Sequence, residues 1–173
     1  MAEGGLAGVL HVGCGGDPLP YPEWLGGLQE TRLDIDPRWN PDVLASMTDM
    51  GEIGPFGAVF CSHALEHLHQ HDAAQALREF YRVLEPGGYA AVFVPDLEGV
   101  CPTSDVLYVS PDGPITGHDL FYGSGKRIPT MPHMAHRSGF VQKTLEAAIR
   151  EAGFSKVLVN RLSSYNLMGV GIK

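Results

Sequence analysis

The chain has 173 residues, 44% of them hydrophobic and 18% charged, which suits one globular domain with a real core. Asp and Glu number 20 against 12 Lys and Arg, for a net charge of −8, and no basic stripe offsets them, which argues against nucleic acid as a partner. No apolar run approaches the roughly 20 residues of a membrane span, and the start MAEGGLAG lacks the basic and apolar parts of a signal peptide, so a cytoplasmic location away from membranes is expected.

In chain order, Val9, Leu10 and Val12 read as a short buried strand that Gly13, Cys14, Gly15 and Gly16 break. A strand running into a Gly-x-Gly turn brings backbone N–H groups close to a ligand, because no Cβ blocks the approach. Doubly wound α/β domains hold nucleotide-like cofactors at such turns. The alternative is a tight turn with no ligand. Three prolines between Asp17 and Pro22 forbid a long helix directly afterwards, though Pro22 to Gly26 suits a short one. Thr31 to Ile35 reads as a second strand, ending in Asp34-Ile-Asp36-Pro37. Val43 to Met47 suits a short strand or turn.

Ala58 to Ser62 is an apolar run fit for a buried parallel strand. Ala73, Leu77, Phe80, Tyr81 and Leu84 share one helical face, so Asp72 to Leu84 is predicted helical with Asp72 as N-cap. Pro86-Gly87-Gly88 stops it, and Tyr89 to Val94 is the next buried strand. From Pro95 to Gly139 the pattern dissolves into Pro, Gly, His and scattered aromatics, a length that compact domains reserve for function or disorder. Val141 to Ala152 is helical again, with Gly153 as its C′ residue. Lys156 to Leu162 and Asn166 to Lys173 close the chain as an antiparallel hairpin. Strands alternating with helices give an α/β, doubly wound, Rossmann-like, mostly parallel sheet.

Asp34 lies about 20 residues beyond the glycine turn, where a carboxylate accepts both hydroxyls of an adenosine ribose. Asp36 points the same way if the strand persists. Either is otherwise an ordinary aspartate before a turn. Cys14, Cys61 and Cys101 form no CxxC pair, so neither a disulfide framework nor a zinc knuckle is indicated. His67, His69 and His71 alternate in a way that suits a metal. The plainer reading is a solvated turn before a helix, and no metal site is expected. His118 beside Asp119 suits an oriented imidazole.

Taken together, LHVGCGGD, LDIDP, AVFCSHALEHL and RVLEPGGYAAVFVPD resemble the successive landmarks of class I S-adenosylmethionine-dependent methyltransferases, in the small-molecule "type 11" branch. The similarity runs from Leu6 to about Pro95 and resumes at HRSGFVQKTLEAAIREAGF. The resemblance implies a seven-stranded sheet whose last strand is antiparallel. It implies S-adenosylmethionine as cofactor, S-adenosylhomocysteine as product, and methyl transfer to a small molecule. The implied cofactor residues are Gly13, Cys14 and Gly15 at the methionine end and Asp34 and Ile35 at the ribose. Asp49 and Met50 are implied beside the adenine, and Ser62 and His63 beside the methyl group.

The sequence also departs from the family. His11 replaces the acidic residue usual two positions before the first motif glycine, and it is the residue expected to meet the cofactor's amino group there. Gly57 replaces an acidic residue before the fourth strand, and the N-terminal cap helices are missing. An open cleft of that kind, with apolar Trp24 and Leu25 near it, suits a homodimer. These departures also suit a protein that binds the cofactor or a partner without transfer. A nicotinamide-dependent oxidoreductase is disfavoured, because its fingerprint wants a third glycine where Pro18 stands. Residues 1–173 are read as one methyltransferase domain with 96–139 as a substrate lid. In that lid Tyr108, Phe121 and Tyr122 are expected to form an apolar wall. His118 and His136 are expected to orient or deprotonate the acceptor.

Overall fold

The computed structural model describes residues 8–16 and 28–173. Pro18, Trp24, Leu25 and the short helix expected at Pro22–Gly26 lie outside them. The strands β1 (Val9–Val12), β2 (Glu30–Asp34), β3 (Val43–Leu44), β4 (Phe56–Ser62), β5 (Leu84–Pro95), β8 (Lys156–Leu162) and β9 (Asn166–Ile172) form one sheet in the order β3-β2-β1-β4-β5-β9-β8. β1 to β5 pair in parallel. β9 runs antiparallel to both β5 and β8. The last strand is the one reversed strand, as expected from the sequence, and it is slotted between β5 and β8.

Parallel strands that are covered on both faces must be apolar almost throughout. That is why VLHV is buried at every position and why AVFC, inside β4, is buried at all four. Leu10, Val12, Val59, Cys61, Val92 and Val94 face one side of the sheet. There they meet Ala73, Leu77 and Phe80 of α1 (Gln70–Val83) and Leu145 and Ile149 of α3 (Gln142–Glu151). Val9, Ala58, Phe60 and Ala91 form a smaller cluster on the other side. Among the described residues, α1 and α3 pack on the first of these faces.

Phe80 is fully buried at the centre of the larger cluster. Phe80→Ala should cost about 3–5 kcal/mol, the transfer and cavity penalty of a buried aromatic. Urea unfolding should show a lower midpoint with an unchanged slope.

Two expectations are corrected. The first helix starts at Gln70 behind His69, not behind an Asp72 N-cap. Asp72 sits inside the first turn, where a negative charge still favours the helix N-terminus. The segment after β5 is not irregular. It holds the hairpin β6 (Val106–Ser110) and β7 (Gly113–Thr116), then α2 (Gly117–Tyr122) and a 3-10 turn at Pro132–Met134. Thr116 caps α2 by accepting the Asp119 N–H, while Asp119 Oδ2 accepts the Thr116 N–H and O–H, a reciprocal capping box. The hairpin turn is Ser110-Pro111-Asp112-Gly113, and Gly113 has φ +118°. Proline sets the first turn angle and glycine supplies the positive φ.

Candidate active site

At the carboxyl end of β1 the backbone turns through Gly13 (φ +64°) and Gly15 (φ +59°). A Cβ on Gly13 would stand 2.5 Å from the Ala64 Cβ, so only glycine fits there. No described heavy atom lies within 4 Å of the Cβ that Gly15 would carry. Cys14 is buried against β2, its N–H donating to the Leu33 carbonyl at 3.2 Å, and burial pushes its thiol pKa up.

Asp34, at the end of β2, faces this turn. Its Oδ2 accepts the Gly15 N–H at 2.9 Å and its Oδ1 accepts the Asp36 N–H at 2.9 Å. Each oxygen keeps a further lone pair. Asp36 is spoken for otherwise. It caps the 3-10 turn Pro37–Trp39, and the Arg38 guanidinium beside it pushes its carboxyl down to about 2. Ile35, between the two, is 63% exposed.

His11 lies wholly buried in β1. Its Nδ1 is 2.9 Å from Glu30 Oε1, and its ring meets Phe60 edge-on. Burial outweighs the pull of Glu30 and holds the His11 pKa below its usual value. Met50 is buried in the core, and its N–H donates to Glu79 Oε2 at 3.0 Å. Asp49, next to it, is exposed, with Oδ1 accepting the Gly51 N–H.

Beyond Ser62, His63 takes a left-handed φ of +49°. Non-glycine residues in that region cost about 1–3 kcal/mol and gather at functional sites. The His63 N–H donates to the Phe93 carbonyl, and its Nδ1 lies 3.4 Å from Glu66 Oε1. Burial opposes a charge on the ring, but the Glu66 carboxylate overrides it and raises the His63 pKa. The pairing is then complete below about pH 6.5 and is lost as pH rises through the raised folded value. Wild type should therefore lose stability relative to His63→Gln between pH 6 and pH 8, as read from urea midpoints at each pH.

A cavity of about 210 Å³ opens here, at the carboxyl ends of β4 and β5. Its floor is His63, Glu66, His67 and Pro95, and its cover comes from the 96–139 segment, with Tyr108, Ile115, Leu120, Met134 and His136 among the lining residues. Tyr108 stacks on Tyr165 across the hairpin, with ring centroids 6.2 Å apart. The segment also returns towards β2, where His133 Nε2 lies 3.8 Å from Asp36.

Of the residues expected in the lid, Tyr108 and His136 line this cavity. His118 does not. It is exposed and packs on Tyr122, with ring centroids 4.7 Å apart. The capping box fixes the phase of α2 so that Gly117 and Leu120 are buried, which turns His118 and Tyr122 outward. Phe121 and Tyr122 are likewise not among the lining residues.

His69 and His71 stack on each other at 5.8 Å and are exposed. The ring beside His67 is that of His136, at 5.0 Å. Glu66, His67 and His136 form a cluster whose ligand atoms all lie within 4.8 Å of one another. Sequence spacing pointed to His67, His69 and His71 instead. Spacing along the chain could not bring in His136, which lies 70 positions beyond Glu66. The neighbouring Asp119 lines the cavity too, but its carboxylate is taken up by Thr116 and by the Gly125 N–H.

Residues 10–92 match a sequence family described as a methyltransferase domain. No curated protein matches the chain in sequence. Many solved structures share its fold. One is an S-adenosylmethionine-dependent methyltransferase from Archaeoglobus fulgidus, at TM-score 0.64 and 15% identity, covering 98% of this chain and 87% of that one. Another is the 1,6-didemethyltoxoflavin-N1-methyltransferase of Burkholderia thailandensis, solved with 1,6-didemethyltoxoflavin and S-adenosylhomocysteine, at TM-score 0.59 and 16% identity, covering 96% and 71%. A third is the N-methyltransferase NodS of Bradyrhizobium japonicum WM9, solved with S-adenosylhomocysteine, at TM-score 0.57 and 14% identity, covering 98% and 79%. The chain spans between 48% and 87% of the length of such structures. Among the described residues no helix is long and apolar enough to cross a membrane. The family match runs from β1 into β5, and over its described residues, through β9, the chain shares the fold of S-adenosylmethionine-dependent methyltransferases of known structure.

Proposed function

We propose that this chain transfers the methyl group of S-adenosylmethionine to a small-molecule acceptor held in the cavity between β4, β5 and the β6–β7 hairpin. The observation that carries the reading is the cavity itself. It lies at the carboxyl edge of the sheet, one residue beyond Ser62, and mixes apolar Ile115, Leu120 and Met134 and the Tyr108 ring with polar His63, Glu66, His67 and His136 and the charged Asp112, Lys126 and Arg127. That mixture is the usual composition of a small-ligand pocket. The net charge of −8 favours such an acceptor over nucleic acid.

The described residues fit an adenosyl donor. Gly15 leaves room where a side chain would stand, and Asp34 retains lone pairs for the two ribose hydroxyls. Ile35 offers an exposed apolar surface beside them. Asp49 and Met50 follow β3 and supply the adenine side, with the Met50 backbone fixed by Glu79. Gly13 and Cys14 lie along the methionine end, while His11, expected there, is wholly buried with its ring on Glu30 and Phe60. Ser62 and His63 stand between donor and acceptor.

The bound donor supplies an activated methyl group. The protein's task is alignment: it holds the acceptor's lone pair in line with the methyl carbon while the carbon–sulfur bond breaks and its electrons return to sulfur. Orientation of this kind contributes several kcal/mol in a bimolecular displacement. His136 points its ring at the acceptor side with Nδ1 fixed on the Leu120 carbonyl at 2.9 Å, so its role is to orient the nucleophile. Residues 96–139 act as the substrate lid of a single methyltransferase domain.

The test is a methyl-transfer assay with labelled S-adenosylmethionine and a panel of small phenols, amines and carboxylates. The expected result is S-adenosylhomocysteine formed only with an acceptor present. Tight cofactor binding without transfer to any acceptor would favour the non-catalytic reading instead.

A further inference from the structure

Glu66, His67 and His136 come together at the cavity floor, where His63 Nδ1 lies 3.4 Å from one Glu66 oxygen, Oε1. Glu66 is 2% exposed, and its Oε2 has no hydrogen-bond partner. His67 Nδ1 lies 3.3 Å from the Ala135 carbonyl, and His136 Nδ1 lies 2.9 Å from the Leu120 carbonyl. A carbonyl oxygen only accepts, so each Nδ1 carries the ring proton and each neutral ring presents Nε2 as a lone pair. The ligand atoms of Glu66, His67 and His136 lie within 4.8 Å of one another. His63 answers one oxygen of the Glu66 carboxylate, but the buried Oε2 is left without a partner, a cost that a cation beside it would relieve.

We propose that Glu66, His67 and His136 form a binding site for a divalent transition metal, zinc or a metal of similar preference. Two imidazoles and one carboxylate suit zinc, cobalt, iron or nickel better than magnesium or calcium. The backbone carbonyls of Leu120 and Ala135 do what the outer partners of metal-bound histidines commonly do, fixing tautomer and ring orientation. Tetrahedral zinc with bonds of about 2.0–2.1 Å needs ligand atoms about 3.4 Å apart. The ligand atoms lie within 4.8 Å of one another and would have to draw closer to meet that spacing; His67 and His136 are both only partly buried. Glu66 comes from the floor after β4 and His136 from the lid, so the metal clasps the lid to the sheet. Three protein ligands leave a fourth position open to the cavity. On the methyl-transfer reading, on which this one point rests, that position takes the acceptor's oxygen or nitrogen and lowers its pKa.

The experiment uses the full chain after chelator treatment and dialysis. Zinc and cobalt salts are titrated by calorimetry, and the cobalt form is followed by its visible absorption. The expected result is one-to-one binding with the intense absorption of four-coordinate cobalt. Glu66→Gln and His136→Gln should each weaken binding by at least about tenfold, while His69→Gln and His71→Gln leave it unchanged. Circular dichroism of each variant checks that it is folded, and Glu66→Gln preserves the shape of the side chain. Absence of one-to-one binding, or binding lost only through His69 and His71, overturns the proposal. S-adenosylhomocysteine is titrated into the same samples. Cofactor binding without metal binding sinks the metal site alone, and metal binding without cofactor binding sinks the methyl-transfer reading alone.

Discussion

Replacing Leu107–Ile115 with a short Gly-Ser linker should abolish methyl transfer while leaving affinity for S-adenosylhomocysteine within about tenfold, or 1.4 kcal/mol. The replaced residues include Tyr108, Asp112, Pro114 and Ile115, which line the cavity from above. None of them hydrogen-bonds the glycine turn or Asp34. The donor should therefore still bind, but the acceptor loses its cover and water gains access to the sulfonium. Alignment of two bound reactants is the main contribution the protein makes to this displacement, so its loss falls on the rate. Thr116 and the capping box of α2 stay in place, which keeps His136 anchored on Leu120. Transfer at the wild-type rate would remove the hairpin from the acceptor site. A smaller change tests one side chain: His136→Ala should slow transfer and leave cofactor affinity intact, whereas His118→Ala, which alters an outward-facing ring, should change neither.

Asp34→Ala should weaken cofactor binding by roughly tenfold to a hundredfold for each ribose hydroxyl bond lost, since hydrogen bonds to a charged group contribute about 1.5–3 kcal/mol. Two consequences combine here. The ribose loses its acceptor, and the N–H groups of Gly15 and Asp36 lose the carboxylate that now orders both segments. Asp34→Asn keeps one acceptor oxygen and should fall between wild type and alanine. Calorimetry with S-adenosylhomocysteine measures the series, and equal affinity across it would take Asp34 out of the site. NAD should not bind to any member.

The parallel strands were legible because burial on both faces leaves an unbroken apolar run, as in VLHV and in AVFC. The helix at 70–83 was legible in its core face but not at its start. His69 occupies the cap without a side-chain bond, so no local polar signal marks it. The hairpin at 106–116 carried a readable turn, Pro111-Asp112-Gly113 between two β-prone stretches. Its strands are short, and Val106 and Val109 are 57% and 75% exposed, so no alternating pattern announces them. His118 and His136 looked alike in sequence, and only the phase of α2 separates them. The grouping of Glu66 and His67 with His136 depends on the lid folding back. The Arg137 and Ser138 N–H groups donate to the Glu66 carbonyl, and no local spacing encodes that return.

The most direct measurement is a crystal structure of the full chain with S-adenosylhomocysteine. The ribose hydroxyls should bond Asp34, the methionine end should lie along Gly13–Gly15, and the sulfur should face the cavity floored by His63 and Glu66 under the β6–β7 hairpin. An adenosyl group bound away from Asp34, or a sulfur turned from that cavity, would contradict the account.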